Sequence, residues 1–309
     1  PERHPALGIE MTTGPLGQGL ATAVGLAAAE AHLRAVFGPG LVDHRTFVFA
    51  GDGCLMEGIS SEAASLAGHL GLGRLIVLYD DNHISIEGPT SLTFTEDVAA
   101  RFTAFGWRVV AADGHDRPAV AAALAEALAD DSRPVLLACR THIAYGAPTK
   151  HDSADSHGSP LGEQEIAGAK EAMGWPVDRR FEVDPAVYAF FGEAMARNAA
   201  ARQAWEERRA RLFAAAPEPA ALWEKDFAPG PVTVGPVTGF EVGQSPATRS
   251  ASGKVINALA PRLPAWWAAP PIWPRPTTPT STARPTSRRP LRRGGTSASG
   301  CGSSPWGPW

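Results

Sequence analysis

The chain has 309 residues, 44% of them hydrophobic, with a formal net charge of −4 from 28 Lys and Arg against 32 Asp and Glu. That is enough apolar material for one large or two smaller α/β domains, and the acidic balance, with no basic face before the last stretch, argues against a nucleic-acid partner. The widely separated Cys54, Cys139 and Cys301 make neither a metal cluster nor a disulfide framework, which suggests a reducing cytoplasm.

No apolar run reads as membrane-spanning and no signal-peptide pattern opens the chain, so no membrane partner is expected. With Pro1 as first residue, a natural N-terminus is expected to be missing. Pro1 to Pro5 reads as a loop in which His4 is an ordinary histidine. Gly14-Pro-Leu-Gly-Gln-Gly19 is a glycine-rich loop before an alanine-rich, helix-length segment, Leu20 to Phe37, whose small residues suit close packing.

Phe47-Val-Phe-Ala-Gly51-Asp52-Gly53 is an apolar run of strand length ending in a polar turn, followed by a helical segment from Ser60 to Gly71. A second apolar run, Leu75 to Tyr79, ends in Asp80-Asp81-Asn82, so the whole is a βαβ unit. Both polar ends then meet outside the carboxyl ends of a parallel sheet, where open α/β sheets bind ligands. Asp52 offers a carboxylate oxygen and Asn82 a carbonyl oxygen, both suited to Mg²⁺ or Ca²⁺. Gly51 and Gly53 let a diphosphate approach backbone N–H groups near a helix N-terminus. His83 is expected to be exposed, since Mg²⁺ prefers oxygen.

Trp107 to Ala112 and Pro134 to Arg140 read as further strands around a helix at Ala119 to Ala129, continuing a doubly wound α/β pattern with helices on both faces of a parallel sheet. His115 and His142 fall at strand ends without an assigned role, and His151, Asp152 and Asp155 are expected to be solvated. Leu161 to Glu224 is mostly helical, and Ala228 to Ser245 is rich in Gly, Pro and Val, as a linker is. Glu57 and Glu62 are five residues apart and do not share one helical face.

Gly51 to Asn82 resembles the thiamine diphosphate motif, and Gly51 to Ser60 its transketolase form in particular. Thr12 to Gly19 and Ser156-His157-Gly-Ser-Pro-Leu-Gly162 are two more transketolase-like signatures in the family's order, and the resemblance runs from Pro1 to about Pro264. It implies an incomplete thiamine diphosphate-binding fold and ketol transfer, in which a two-carbon unit moves from a ketose phosphate to an aldose phosphate. Asp52, Asn82 and the Ile84 carbonyl would ligate Mg²⁺, with Gly51 and Gly53 beside the diphosphate and Gly14 and Leu16 against the thiamine. His157 would contact the diphosphate and the sugar phosphate, while Glu57 and Glu62 would belong to a carboxylate network joining two cofactors across a homodimer. A dihydroxyacetone synthase shares these motifs, as does a non-catalytic remnant of the fold. A deoxyxylulose phosphate synthase is disfavoured by the Gly14 loop and the His157 motif.

The resemblance also implies a histidine immediately before Pro1 and two more upstream. It divides the chain into a cofactor domain over 1–227, a linker over 228–245 and the start of a pyrimidine-binding domain over 246–264, with a helix at Thr248 to Ala260. Residues 265–309 hold five of the nine Trp, nine Pro and six Arg without an acidic residue, unlike a packed domain or an ordinary disordered tail. Read one base out of frame, this stretch allows transketolase-like sequence, so a frameshift is expected. The family's catalytic glutamate, supplied by the second domain of a partner subunit, is not encoded in frame, and the isolated chain is expected to be inactive.

Overall fold

The computed structural model describes residues 2–4, 6, 8–227, 235–236, 239–241 and 243–261. Thr46–Gly51 forms strand β1 and Leu75–Asp81 strand β2, paired in parallel from Thr46 opposite Leu75 to Gly51 opposite Asp80. Arg108–Asp113 and Val135–Arg140 form two further strands of this sheet, β5 and β6, and a two-residue hairpin, β3 (Ile84–Ser85) with β4 (Gly88–Pro89), lies between β2 and β5 in sequence. The order is β1-β2-β6-β5, all parallel, so Gly51, Asp81, Arg140 and Asp113 end along one edge. The central strands β2 and β6 read as nearly continuous apolar runs because both of their faces are covered, whereas the edge strand β1 buries Val48 and Ala50 on one face and leaves Phe47 and Phe49 exposed on the other.

Alternation along the strands sorts their side chains into two cores. Val48, Ala50, Leu75, Val77, Tyr79 and Leu136 face one core, packed against α1 (Gln18–Phe37) and α3 (Gly58–Leu70). Ile76, Val110, Val135, Leu137 and Cys139 face the other, under Ala123 and Ala127 of α5 (Arg117–Ala129). Helix α5 starts on Asp116, whose side chain accepts the Ala119 N–H, with Pro118 in its first turn.

Two expectations need correction. Helical structure resumes at Asp52, not Ser60: the short α2 (Asp52–Met56) leaves β1 directly and is separated from α3 by Glu57 in extended conformation. Ser60 Oγ donates back to the Cys54 carbonyl, which holds this break. The second concerns membrane-spanning length, because α1 is long and apolar enough to cross a membrane by length and composition. Here one face of it packs into the core, with Leu20, Ala23, Val24, Ala27 and Ala28 buried.

Helix α4 (Val98–Ala104) leads through a turn to β5, and there α3 comes very close to the chain. A Cβ added at Gly68 would sit 1.8 Å from the Phe105 carbonyl oxygen, a backbone atom that cannot rotate away. Gly25, within α1, has nothing within 4 Å of its Cβ position. Gly68→Ala is therefore expected to cost about 1–3 kcal/mol or more. Gly25→Ala should add roughly 0.5–1 kcal/mol through helix propensity. Denaturant melts of the two variants should move in opposite directions.

The chain divides into two compact units, Pro1–Ala221 and Leu222–Trp309. The first continues through α6 (Glu163–Ala172) and the long α7 (Pro185–Ala215), whose Trp205 Nε1 donates to the Leu41 carbonyl at 2.8 Å. Helix α8 (Pro217–Phe227) follows α7 in the chain. In the second unit α9 (Thr248–Leu259) stands where a helix was expected, with Lys254 over the Phe240 ring. Most of the expected linker and all of the stretch from 265 onward lie outside the described residues.

Candidate functional site at the carboxyl edge of the sheet

Asp52 begins α2 at the end of β1 and is only 3% exposed. Its Oδ1 accepts the Tyr79 hydroxyl at 2.5 Å and its Oδ2 accepts the His83 backbone N–H at 3.0 Å. Burial pushes the carboxyl above the usual Asp range; the Tyr79 hydrogen bond opposes this, the neighbouring Asp81 adds to it, and the His83 N–H again opposes it. Tyr79 is raised in turn by its own burial and by that carboxylate. Among the described residues no Lys, Arg or His side chain forms an ion pair with Asp52, so this desolvated carboxyl is held by the two hydrogen bonds alone.

Asn82 follows β2, and its Oδ1 accepts the Ile84 N–H at 2.9 Å while its amide faces Asp80 Oδ2 at 3.4 Å. This Asx turn brings the chain around to β3, and the His83 carbonyl accepts from Thr90 at 2.9 Å to close the loop. Ile84 is buried. His83 is exposed as expected, has a φ of 62°, and directs Nε2 to Asp81 at 3.0 Å.

The glycine-rich loop meets the Gly-Asp-Gly turn. A Cβ on Gly53 would lie 3.2 Å from Leu16 Cδ1, while the Cβ positions of Gly14 and Gly51 have nothing within 4 Å. Gly17, at a φ of 78°, is packed so tightly that a Cβ would come within 2.8 Å of Ile59 and 2.9 Å of Glu57 and Ser60. The Cβ positions of Gly51 and Gly14 each face open space, and Leu16, beside Gly53, is half-exposed.

Other residues singled out in the sequence stand apart. Glu57 and Glu62 are both exposed on this chain. His157 is exposed at the end of a short helical turn, Ala154–Ser156, and among the described residues no hydrogen bond or ion pair ties its ring to Asp52 or Asn82. His4 bridges to Ile9 through its backbone.

Two features escaped the sequence reading. Tyr79, an apparently ordinary core residue of β2, is what grips Asp52; the signal available was a lone hydroxyl within an otherwise apolar run. His151 and Asp152 are exposed, as expected of solvated groups, but they are not independent of His142: His142 Nδ1 and Asp152 Oδ2 are 2.7 Å apart, and His151 Nε2 is 3.5 Å from the same oxygen.

An open parallel sheet, helices on both faces and a glycine-framed buried carboxylate at its carboxyl edge define a doubly wound ligand-binding domain. Residues 1–229 match the family model described as transketolase, thiamine diphosphate binding domain. The chain belongs to that family. It is 48% identical to a transketolase of Cereibacter sphaeroides over 265 residues, covering 85% of this chain and 40% of the relative. With a transketolase of Geobacillus stearothermophilus it is likewise 48% identical, covering 85% of this chain and 41% of the relative. The solved transketolase of Leishmania mexicana superposes with a TM-score of 0.72 at 42% identity, over 83% of this chain and 39% of that one. The chain thus spans about two fifths of the length of these relatives.

Proposed function

We propose that this chain is the cofactor-holding part of a transketolase that moves a two-carbon ketol unit from a ketose phosphate to an aldose phosphate. The observation that carries the reading is Asp52, a buried carboxylate with no ion-pair partner among the described residues, at the head of a turn whose glycines leave room for a phosphate. Its desolvation cost would be offset by a divalent cation, which Asp52 would help to hold and which would supply the positive charge a diphosphate needs there. The donor set fits a hard cation: Asp52, the Asn82 side-chain oxygen and the Ile84 carbonyl are all oxygens, which suits Mg²⁺, or Ca²⁺ in its place.

Bound thiamine diphosphate supplies the electron sink for breaking and remaking a carbon–carbon bond. What the chain contributes is placement. Gly51 and Gly53 admit the diphosphate to the backbone, Gly14 and Leu16 border the thiamine, and His157 handles a proton or charge near the sugar phosphate. Glu57 and Glu62, exposed here, become buried across a homodimer interface. In this reading the whole enzyme is cytoplasmic and works in the pentose phosphate pathway or in carbon fixation, which share this chemistry.

The test is a thermal melt of the purified chain with Mg²⁺ alone, thiamine diphosphate alone, and both. Saturation at a hundredfold excess over Kd corresponds to about 2.7 kcal/mol. A rise of roughly 5–10 °C is therefore expected with both and not with either alone. No shift with both together would overturn the reading.

A further inference from the structure

The second cluster at this edge is chemically different from the first. His142 follows β6 directly, and His151 and Asp152 return to it at the far end of a loop. We propose that His142, His151 and Asp152 form a binding site for a transition-metal cation of the zinc class, separate from the oxygen donors around Asp52 and independent of the cofactor reading.

One donor atom from each residue lies within 4.8 Å of the other two. Around a tetrahedral cation with bonds of 2.0–2.1 Å, donor atoms are separated by about 3.3 Å. The 3.5 Å between His151 Nε2 and Asp152 Oδ2 already fits, and the 2.7 Å between His142 Nδ1 and that oxygen must open by about 0.6 Å to reach the separation expected around such a cation. Two imidazoles and one carboxylate favour zinc-class ions over Mg²⁺. Each side chain is a little over a third exposed, which gives an ion a path in and leaves positions for water.

The surroundings hold the ligands in place. Asp152 has a φ of 55°, and its N–H donates to the Ile143 carbonyl at 3.0 Å, fixing the return of the loop beside its start. The His142 backbone N–H donates to His115 Nε2 at 2.9 Å, which commits that nitrogen and fixes the His142 backbone beside His115. Tyr145 stacks on His115 at 4.1 Å and backs the group. Metal binding would exchange two contacts. The cation replaces the proton shared by His142 Nδ1 and Asp152 Oδ2, leaving the proton of neutral His142 on Nε2. With the cation on Nε2, neutral His151 carries its proton on Nδ1 and gives up the long 3.3 Å bond from Gly146 N–H. A bound ion would cross-link the two ends of this loop just before the His157 motif. It would also sit beside β2, to which the loop is tied by Thr141 N–H donating to the Asp81 carbonyl at 3.1 Å.

The experiment is equilibrium dialysis of the chelator-stripped full chain against micromolar Zn²⁺, with metal analysis. The parent chain and Asp52→Asn should each bind one equivalent, with at least tenfold weaker binding in His151→Ala and in Asp152→Asn. His151→Gln, closer in size, gives the same reading if the alanine variant does not fold. Bound Zn²⁺ should also move the Gly146 amide resonance. Failure of the parent chain to bind, or equal affinity across the His151 and Asp152 variants, overturns the proposal. Because Asp52→Asn should remove cofactor binding while sparing zinc, the two sites are judged separately.

Discussion

Asp52→Asn should abolish the joint stabilisation by Mg²⁺ and thiamine diphosphate, weakening cofactor binding by about 100-fold or more, while leaving the ligand-free chain as stable as before or more so. The loss exceeds the 10–100-fold typical of outer-shell changes because the substitution removes a proposed ligand itself. The ligand-free result has the opposite sign because Asp52 is costly in the absence of a cation. It is 3% exposed, and its carboxyl is raised mainly by that burial. An asparagine can meet both neighbours: its oxygen accepts the His83 N–H, and its amide donates to the Tyr79 hydroxyl, which can turn to accept.

The same site sets a pH dependence. A carboxyl raised in the folded state binds its proton more tightly there than in the unfolded chain. Its contribution to stability is therefore fully present below the ordinary Asp value of 3.8 and is lost as pH climbs through the raised folded value. The ligand-free parent should lose this contribution over that range and Asp52→Asn should not. Urea melts at acidic and neutral pH measure the difference; identical pH profiles would show that Asp52 is not desolvated.

The largest expected loss of stability follows Trp107→Ala. Trp107 is 2% exposed at the entry to β5, packs edge-on to Phe102 at 5.1 Å, and donates Nε1 to the Ala64 carbonyl of α3 at 2.8 Å. Truncation of a large buried aromatic costs about 3–5 kcal/mol. Against a total of roughly 5–15 kcal/mol, that is a large share. The melting temperature should fall by roughly 10 °C or more. Trp107→Phe keeps most of the packing and loses the hydrogen bond, so it should fall between parent and alanine variant. An unchanged melt for Trp107→Ala would mean that this contact between α3 and the sheet is dispensable.

Much of the site was legible in the residues because its parts are local. Gly51-Asp52-Gly53 and Asp81-Asn82 each end a strand whose apolar run marks it, and parallel pairing puts such ends on one edge. Glu57, Glu62 and His157 show the limit of this: motif membership names them, yet on this chain all three lie exposed, without a tie to Asp52 among the described residues. Their proposed roles depend on surfaces that other parts of the whole enzyme would supply.

By itself the sequence determined the four strands of the main sheet, the helices α3 and α5 between them, and the polar residues at the strand ends, since burial writes apolar runs of strand length and turns write glycine and Asx residues. The break between α2 and α3, the β3–β4 hairpin and α4 were not legible there. Only the tertiary structure decided the order β1-β2-β6-β5, the placing of Leu16 against Gly53, the grip of Tyr79 on Asp52 and the meeting of His142 with Asp152. The physical reason is separation along the chain. Tyr79 and His83 reach Asp52 from 27 and 31 residues away. Contacts of that kind follow from strand register and from where each loop returns, which no local periodicity encodes.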